Sequence, residues 1–316
     1  MVARTPAESP LVVIAGPTAS GKTALALELA ERFNGEIVSC DSVAVYRGME
    51  IGTAKPTMEE RARVPHHLID VFTPDEPCTA GDYSRLAREA IRGITDRGKL
   101  PIVTGGTGLY MRALIDGLFP APKRREPLRA KLRARAEQRG AGYLHAILRR
   151  LDAKAAEMIH ANDVPKVVRA IEVTLAGRDA MTRQWQQPRD PLVGYRILRL
   201  GLNPPRAELY ARINRRAAEM FESGLVEETT QLVERYGFEC RPLISLGYAQ
   251  AIQVIRGEIT RDKAVAACAQ GHRNYAKRQL TWFRKDTATR WIANFGSDAD
   301  TQREAGELLA RHLSAD

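Results

Sequence analysis

A chain of 316 residues can bury a full core without staples and makes roughly two domains, and its four cysteines, Cys40, Cys78, Cys240 and Cys268, form no C-x-x-C pair, which excludes a zinc knuckle or dithiol redox motif. Residues 1–10 carry no apolar run of a secretory signal, and no stretch approaches the ~18 apolar residues of a membrane span, so a cytoplasmic protein with reduced thiols and no membrane partner is expected. A formal net charge of +10 exceeds what one small anionic substrate needs and points to a polyanionic partner, with a generally basic surface as the alternative.

In chain order, the apolar run Leu11 to Ala15 reads as a buried strand, and Lys22 to Phe33 puts Leu25, Leu29 and Phe33 on one helical face. Between them, Gly16-Pro17-Thr18-Ala19-Ser20-Gly21-Lys22-Thr23 has the form G-x-x-x-x-G-K-T of the phosphate loop found in ATP-binding enzymes. In that setting the amides around Ser20 to Thr23 and the positive end of the helix converge on anionic oxygens. Lys22 reaches the outer phosphates, and the Thr23 hydroxyl ligates a Mg2+ that bridges them. Pro17 has no N–H to offer. The expected ligand is a polyphosphate or a pyrophosphate ester.

Glu36 to Cys40 is the next strand, and Asp41 directly after it emerges at the carboxyl edge of the sheet beside the phosphate loop. A carboxylate there can hold magnesium through water, take a proton from a nucleophile, or brace its own loop. Leu68 to Phe72 is a short candidate strand, and the helix from Tyr83 to Arg97 aligns Tyr83, Leu86, Ala87, Ala90, Ile91 and Ile94 before Gly98 stops it. The strand Leu100 to Thr104 ends in Gly105-Gly106-Thr107-Gly108, where a phosphoryl-transfer enzyme commonly has an aspartate. No carboxylate follows this strand; Thr107 offers a neutral hydroxyl instead.

From Pro120 to about Pro191 the strands disappear. The first helix of this stretch, Pro127 to Arg139, carries Arg129, Lys131, Arg133, Arg135 and Arg139 against one stripe of Leu128, Leu132 and Ala136, read either as a solvated face or as a phosphate contact. Gln184 to Pro191 is the return linker, and Tyr195 to Leu202 resumes the sheet. Asn203-Pro204-Pro205 starts a long helix through Ser223, another spans Arg261 to Asp286, and Thr289 to Phe295 is a last strand before a polar tail expected to fray. The fold class is α/β: a P-loop NTPase-like parallel sheet core flanked by helices, residues 1–119 and 192–316, with an inserted all-helical domain at 120–191.

The run Asp41-Ser42-Val43-Ala44-Val45-Tyr46-Arg47-Gly48-Met49-Glu50-Ile51-Gly52-Thr53-Ala54-Lys55-Pro56 resembles the signature of the tRNA dimethylallyltransferases, also called tRNA isopentenyltransferases, of the bacterial type. The phosphate loop, Pro65-His66-His67-Leu68-Ile69-Asp70, Gly105 to Tyr110, and Tyr275-Ala276-Lys277-Arg278-Gln279-Leu280-Thr281-Trp282-Phe283-Arg284 agree with it, so the resemblance covers nearly the whole chain. It implies transfer of a dimethylallyl group from its diphosphate to N6 of the adenosine 3′ of the anticodon, in tRNAs reading codons that begin with U, with pyrophosphate released. The partners it implies are a tRNA anticodon stem-loop and dimethylallyl diphosphate, with Mg2+ as cofactor and a monomeric enzyme.

The resemblance assigns the diphosphate to Gly16, Thr18, Ala19, Ser20, Gly21, Lys22, Thr23 and Arg216, and catalysis to Asp41, Thr107, Lys22 and Arg216. It assigns tRNA contact to Asp41, Ser42, Val43, Ala44 and Thr107, and to Pro165, Lys166, Val167, Val168 and Arg169 in the insertion. Ile244, Ser245, Leu246, Gly247 and Tyr248, and Lys277, Arg278, Gln279, Leu280, Thr281, Trp282, Phe283 and Arg284, complete that set. The chain departs from the family at Ala44, Val45 and Glu50, has Lys166 where arginine is common, and lacks an arginine in Ile244 to Tyr248. His66-His67 with Asp70 could suggest a metal site, but adjacent histidines point different ways, which favours a structural role.

The residues suit this chemistry. Adenine N6 is a weak nucleophile, so proton removal, for which Asp41 is the candidate base, must accompany attack on an allylic carbon that tolerates cationic character. Lys22, the loop amides and Arg216 meet the charge that grows on the leaving group. A small-molecule kinase, prenylation of a free adenine nucleotide and a non-catalytic RNA-binding protein are the competing readings.

Overall fold

A computed structural model describes residues 8–122, 124–177 and 179–314. Most of the polar N-terminal segment, and Lys123 of the basic run that opens the insertion, lie outside them. The chain divides into two compact units, one made of Met1–Ile115 with Leu192–Asp316 and the other of Asp116–Pro191. The expected break after residue 119 comes earlier because a helix ends at Ile115, whose carbonyl accepts the Leu192 amide at 2.9 Å and ties the two crossings of the chain together.

The larger unit begins β1 (Ser9–Ala15), α1 (Lys22–Arg32), β2 (Gly35–Cys40), α2 (Met58–Arg63), β3 (His66–His67), α3 (Ala80–Asp96), β4 (Leu100–Gly105) and α4 (Gly108–Ile115). The insertion is α5 (Glu126–Arg139), α6 (Ala141–Leu151), α7 (Ala153–Met158), α8 (Val164–Gly177) and α9 (Met181–Gln184). The chain returns through β5 (Tyr195–Leu202), α10 (Arg206–Glu222), α11 (Leu225–Tyr236), α12 (Tyr248–Ile255), α13 (Arg261–Phe283), β6 (Arg290–Ile292) and α14 (Ala299–Ser314). The six strands form one parallel sheet in the order β3-β2-β4-β1-β5-β6.

Strand β1 is apolar and buried from Leu11 to Ala15 because both of its faces are covered there, as a central parallel strand requires. Val12 and Ile14 join Leu25 and Leu29 of α1 on one face, while Leu11, Val13 and Ala15 join Tyr83, Ala87, Ile91 and Ile94 of α3 on the other. Thr79 caps α3, accepting from the Asp82 amide while the Asp82 carboxylate accepts from the Thr79 amide. The register positions the site: Ala15 lies opposite Gly105, and Gly105 opposite Cys40, so the ends of β1, β4 and β2 stand level at one edge. The chain crosses over the position of β4 in passing from β1 to β2, which opens a crevice at that edge.

Three expectations change. Leu68 to Phe72 is a bend, with Leu68 and Asp70 in the left-handed region, that joins the loop after β2 through a single bridge from Tyr46 to Phe72. The strand expected over Thr289 to Phe295 is confined to β6. The polar tail is the helix α14, whose Thr301, Ala305 and Leu309 recur every fourth residue and are buried. Leu309→Ala is expected to destabilise the protein by about 2–5 kcal/mol, seen as a lower urea midpoint; an unchanged midpoint would remove α14 from the core.

In the insertion, Leu132, Leu144, Leu148, Val167, Val168 and Ile171 form the core of a helical unit. Arg129 does not join the positive surface expected of α5. It is buried and pairs at 3.1 Å with the fully buried Glu172, which also accepts from Arg169 at 2.6 Å and from the Arg125 amide at 2.6 Å. Burial opposes ionisation of Glu172, but these donors outweigh it and hold the carboxyl below its ordinary range.

Candidate active site

The loop between β1 and α1 has the shape an anion cradle needs. Gly21, the residue before α1, is left-handed at φ 84°, and a Cβ there would lie 2.9 Å from the Gly296 and Ser297 nitrogens. Only glycine suits both demands. The first intrahelical bond of α1 is Leu25 N–H to Gly21 C=O at 3.1 Å, so the amides of Lys22, Thr23 and Ala24 remain for a ligand at the positive helix end. Ala19 is held at φ 63°, a strained conformation for a non-glycine residue and common at ligand-gripping loops.

Two cations face this cradle. Lys22 donates from Nζ to the Pro17 carbonyl at 2.6 Å, and Arg216 reaches in from α10, donating to Thr18 Oγ1 at 3.4 Å and to the Thr53 carbonyl at 3.3 Å. Among the described residues neither forms an ion pair with a carboxylate, and Arg216 Nε and Ser20 Oγ are buried without a protein hydrogen-bond partner. Burial, and then the nearby Arg216, push Lys22 down to about 7, with Asp41 and Cys40 acting the other way. Burial lowers Arg216 as well, against Asp41. Both groups lose hydration by burial and Arg216 further disfavours charge on Lys22, so an anion between them relieves a cost that the protein leaves uncompensated.

The facing wall is built from the ends of β2 and β4. Asp41 Oδ1 accepts from the Val43 and Ala44 amides at 2.8 and 3.1 Å, which braces the loop and leaves Oδ2 without a protein hydrogen bond among the described residues. Thr107 donates its amide to the Cys40 carbonyl at 3.2 Å, and its hydroxyl accepts from the Ser42 amide at 3.0 Å. The loop after Asp41 is held from behind, where Val71 and Phe72 donate to the Val45 carbonyl at 2.9 and 3.0 Å. Burial pushes the Cys40 thiol up to about 12, so it stays protonated and is no nucleophile. Cradle and wall enclose a cavity of about 420 Å³ lined by Lys22, Thr23, Asp41, Thr104, Arg216, Tyr275 and others.

The cavity brings Lys22, Arg216 and Asp41 together with Thr18, Ala19, Ser20, Gly21 and Thr23 of the cradle, while Gly16 opens the same loop and Thr107 is tied in through the Ser42 amide next to Asp41. The Thr18 amide donates to Gln279 Oε1 at 2.8 Å, and its hydroxyl accepts from Arg216 at 3.4 Å. Of the residues assigned to tRNA, Lys277, Arg278, Thr281 and Trp282 are exposed on α13 and Arg284 just beyond its end, and Ile244, Pro165 and Lys166 are exposed on their own segments. Ser42, Val43, Ser245, Leu246 and Leu280 are half-buried.

Several others lie within the fold. The side chains of Val167, Val168, Tyr248 and Phe283 are buried in the protein interior, and Gly247 is buried too, whereas Ala44 and Gln279 are buried but line the cavity. Tyr248 donates to Glu228 at 2.6 Å, and Glu228 accepts from the Ile51 amide at 3.0 Å, so this pair fixes the loop that carries Thr53. Arg169 belongs to the Glu172 network. His67 pairs with Glu36 at 2.7 Å and His66 bonds to the Val64 carbonyl at 2.8 Å, at the edge of the sheet.

The resemblance assigns Tyr275 no role in the site, and Gln279, assigned to tRNA contact, has a second role inside it. The Tyr275 hydroxyl bonds to the Gly106 carbonyl at 3.4 Å, and burial pushes it up to about 12, so it remains a neutral donor beside Thr107. Gln279, one turn further on, bridges the phosphate loop and the end of β4. Their spacing of four, shared with Phe283, is the signal of an inward stripe.

A phosphate loop on a parallel sheet, facing a carboxylate across an enclosed cavity and lacking an acidic residue after the strand next to it, defines an α/β group-transfer enzyme that grips a phosphorylated group. The chain belongs to the IPP transferase family, whose model matches residues 44–286, and residues 9–74 match that of isopentenyl transferase. It is 62% identical to a tRNA dimethylallyltransferase of Koribacter versatilis over 95% of this chain and 97% of the relative, and 52% identical to that of Solibacter usitatus over 96% and 99%. Among solved structures, the full-length tRNA isopentenylpyrophosphate transferase of Bacillus halodurans superposes with a TM-score of 0.72 at 39% identity, covering 97% of each chain. A eukaryotic dimethylallyltransferase acting on tRNA shares the fold, with a TM-score of 0.78 at 24% identity over 96% of this chain and 80% of that one.

Proposed function

We propose that this enzyme transfers the dimethylallyl group of dimethylallyl diphosphate to N6 of the adenosine 3′ of the anticodon, in tRNAs that read U-initial codons. The products are N6-dimethylallyladenosine and pyrophosphate. The observation that carries this reading is the pairing of two unmatched cations at the phosphate loop, Lys22 from the loop and Arg216 from α10, with Asp41 and Thr107 on the opposite wall.

The bond from C1 of the prenyl group to the bridging oxygen breaks as the bond from C1 to N6 forms. Lys22, Arg216 and the amides of the first turn of α1 take up the charge that grows on the departing diphosphate, and the Thr107 hydroxyl meets the bridging oxygen. Asp41 accepts the N6 proton on Oδ2, while its bonds from Val43 and Ala44 keep the carboxylate in place. Thr23 is exposed in the first turn of α1, and a hard hydroxyl oxygen there suits Mg2+, which leaves most of its shell to water and phosphate oxygens. Thr23 would hold the ion, which when bound would neutralise part of the leaving-group charge.

The adenosine must leave its stack to reach the cavity, at a cost of a few kcal/mol that backbone contacts offset. Lys277, Arg278, Arg284 and Lys285 lie exposed along the end of α13 without an ion pair among the described residues, a location that supports RNA contact for the net charge of +10. The same reading makes the protein a monomer working in the cytoplasm, where unmodified tRNA is available; among the described residues no helix is long and apolar enough to cross a membrane.

The test is incubation with dimethylallyl diphosphate, unmodified tRNA, free AMP and ATP, followed by nucleoside analysis. Dimethylallyladenosine in the tRNA alone supports the proposal. Prenylated AMP would favour the free-nucleotide reading, and γ-phosphate transfer a kinase. Lys277→Glu with Arg278→Glu is expected to weaken tRNA binding and lower its salt slope by about 1 for each phosphate no longer neutralised, leaving prenyl diphosphate affinity unchanged. Equal tRNA affinity before and after would remove α13 from the interface.

A further inference from the structure

We infer that Gln279 is a positioning residue through which RNA docking on α13 is felt at the diphosphate cradle; this rests on the function proposed above. Its side chain is buried and bonded at both ends: Oε1 accepts the Thr18 amide at 2.8 Å, and Nε2 donates to the Gly106 carbonyl at 3.0 Å. One amide therefore closes the phosphate loop against the β4 exit, one residue before Thr107.

The neighbouring residues fit the same arrangement. A Cβ on Gly106 would collide with Gln279 Nε2, and one on Gly108 would collide with the Trp282 indole, so two glycines around Thr107 exist to receive side chains from α13. Trp282 keeps 39% of its surface exposed, on the same stretch of helix as exposed Lys277 and Arg278. A contact on the outer face of this turn cannot shift the helix without moving Thr18, Gly106 and Thr107 on the inner face. The two ligands then influence each other's affinity equally, as linkage demands.

The experiment measures binding of inorganic pyrophosphate with Mg2+ to the full chain, with and without an unmodified anticodon stem-loop RNA. For the wild type, RNA is expected to change pyrophosphate affinity about fivefold or more. In Gln279→Met, which keeps the volume but neither hydrogen bond, that ratio is expected to fall to about one, with RNA affinity measured alone close to wild type and the thermal midpoint lowered by the unpaired Thr18 amide without loss of the folded state. Gln279→Glu keeps the acceptor for Thr18 but loses the donor to Gly106, and is expected to lose most of the coupling as well; it serves if the methionine variant does not fold. A wild-type ratio of one, or a full ratio in either variant, overturns the inference. Failure of the wild type to bind pyrophosphate at all would instead overturn the functional reading, so the two failures are distinct.

Discussion

Asp41→Asn is expected to slow the chemical step by about 10²–10⁴-fold while leaving tRNA and prenyl diphosphate affinities close to wild type. Asparagine keeps an Oδ1 that can accept from the Val43 and Ala44 amides, so the loop that Asp41 braces stays in place. What it loses is a carboxylate able to take the N6 proton. Alanine is a poorer probe, because it removes the brace and the base together. Single-turnover rates with saturating substrates separate the two roles: a normal rate in Asp41→Asn would reject the base, and a defect confined to Asp41→Ala would reduce Asp41 to a loop residue.

Lys22→Ala is expected to lower the rate by about 10²–10³-fold, the loss typical of one preorganised charge-stabilising donor, and to weaken pyrophosphate binding. The pH dependence gives a sharper signature. Burial and Arg216 hold Lys22 near 7 before the anion arrives, and a diphosphate beside it must raise that value, so binding takes up a proton. Affinity is therefore highest below pH 7 and falls as pH rises above it, by up to about tenfold per unit. Calorimetry in buffers of different ionisation enthalpy at pH 8 reads this uptake directly. Binding without proton uptake, or affinity that increases through this range because of the protein, would show that Lys22 is charged in the free site.

Much of this site is legible in the sequence because its chemistry lies in short contiguous runs. The phosphate loop needs glycine at its helix end, and Asp41 and Thr107 each come just after a short run rich in buried, β-branched residues bounded by glycine or turn signals, which reads as a strand. The parallel register then brings these three ends level, which is why a motif reading found both walls of the cavity. Other elements escape because periodicity states which residues share a face and not what they meet. Gln279 looks like one more polar residue on a basic helix, yet its partner Thr18 is 261 positions away. Arg129 reads as surface charge until Glu172 is folded against it, and Tyr248 reads as an RNA contact until Glu228 takes its hydroxyl. The α14 helix escaped for the opposite reason: its buried stripe of Thr301, Ala305 and Leu309 is narrow and small, diluted by charge on the other sides.

On the function proposed here, the phosphate loop holds a leaving group and does not carry a phosphoryl donor. A single turnover with dimethylallyl diphosphate labelled on both the prenyl carbon and the terminal phosphate, in the presence of an unmodified anticodon stem-loop, tests this most directly. The carbon label is expected in the RNA and the phosphate label in intact pyrophosphate, in equal amounts. An unlabelled RNA, together with hydrolysis of ATP or transfer of its γ-phosphate to a small acceptor by the same preparation, would contradict it.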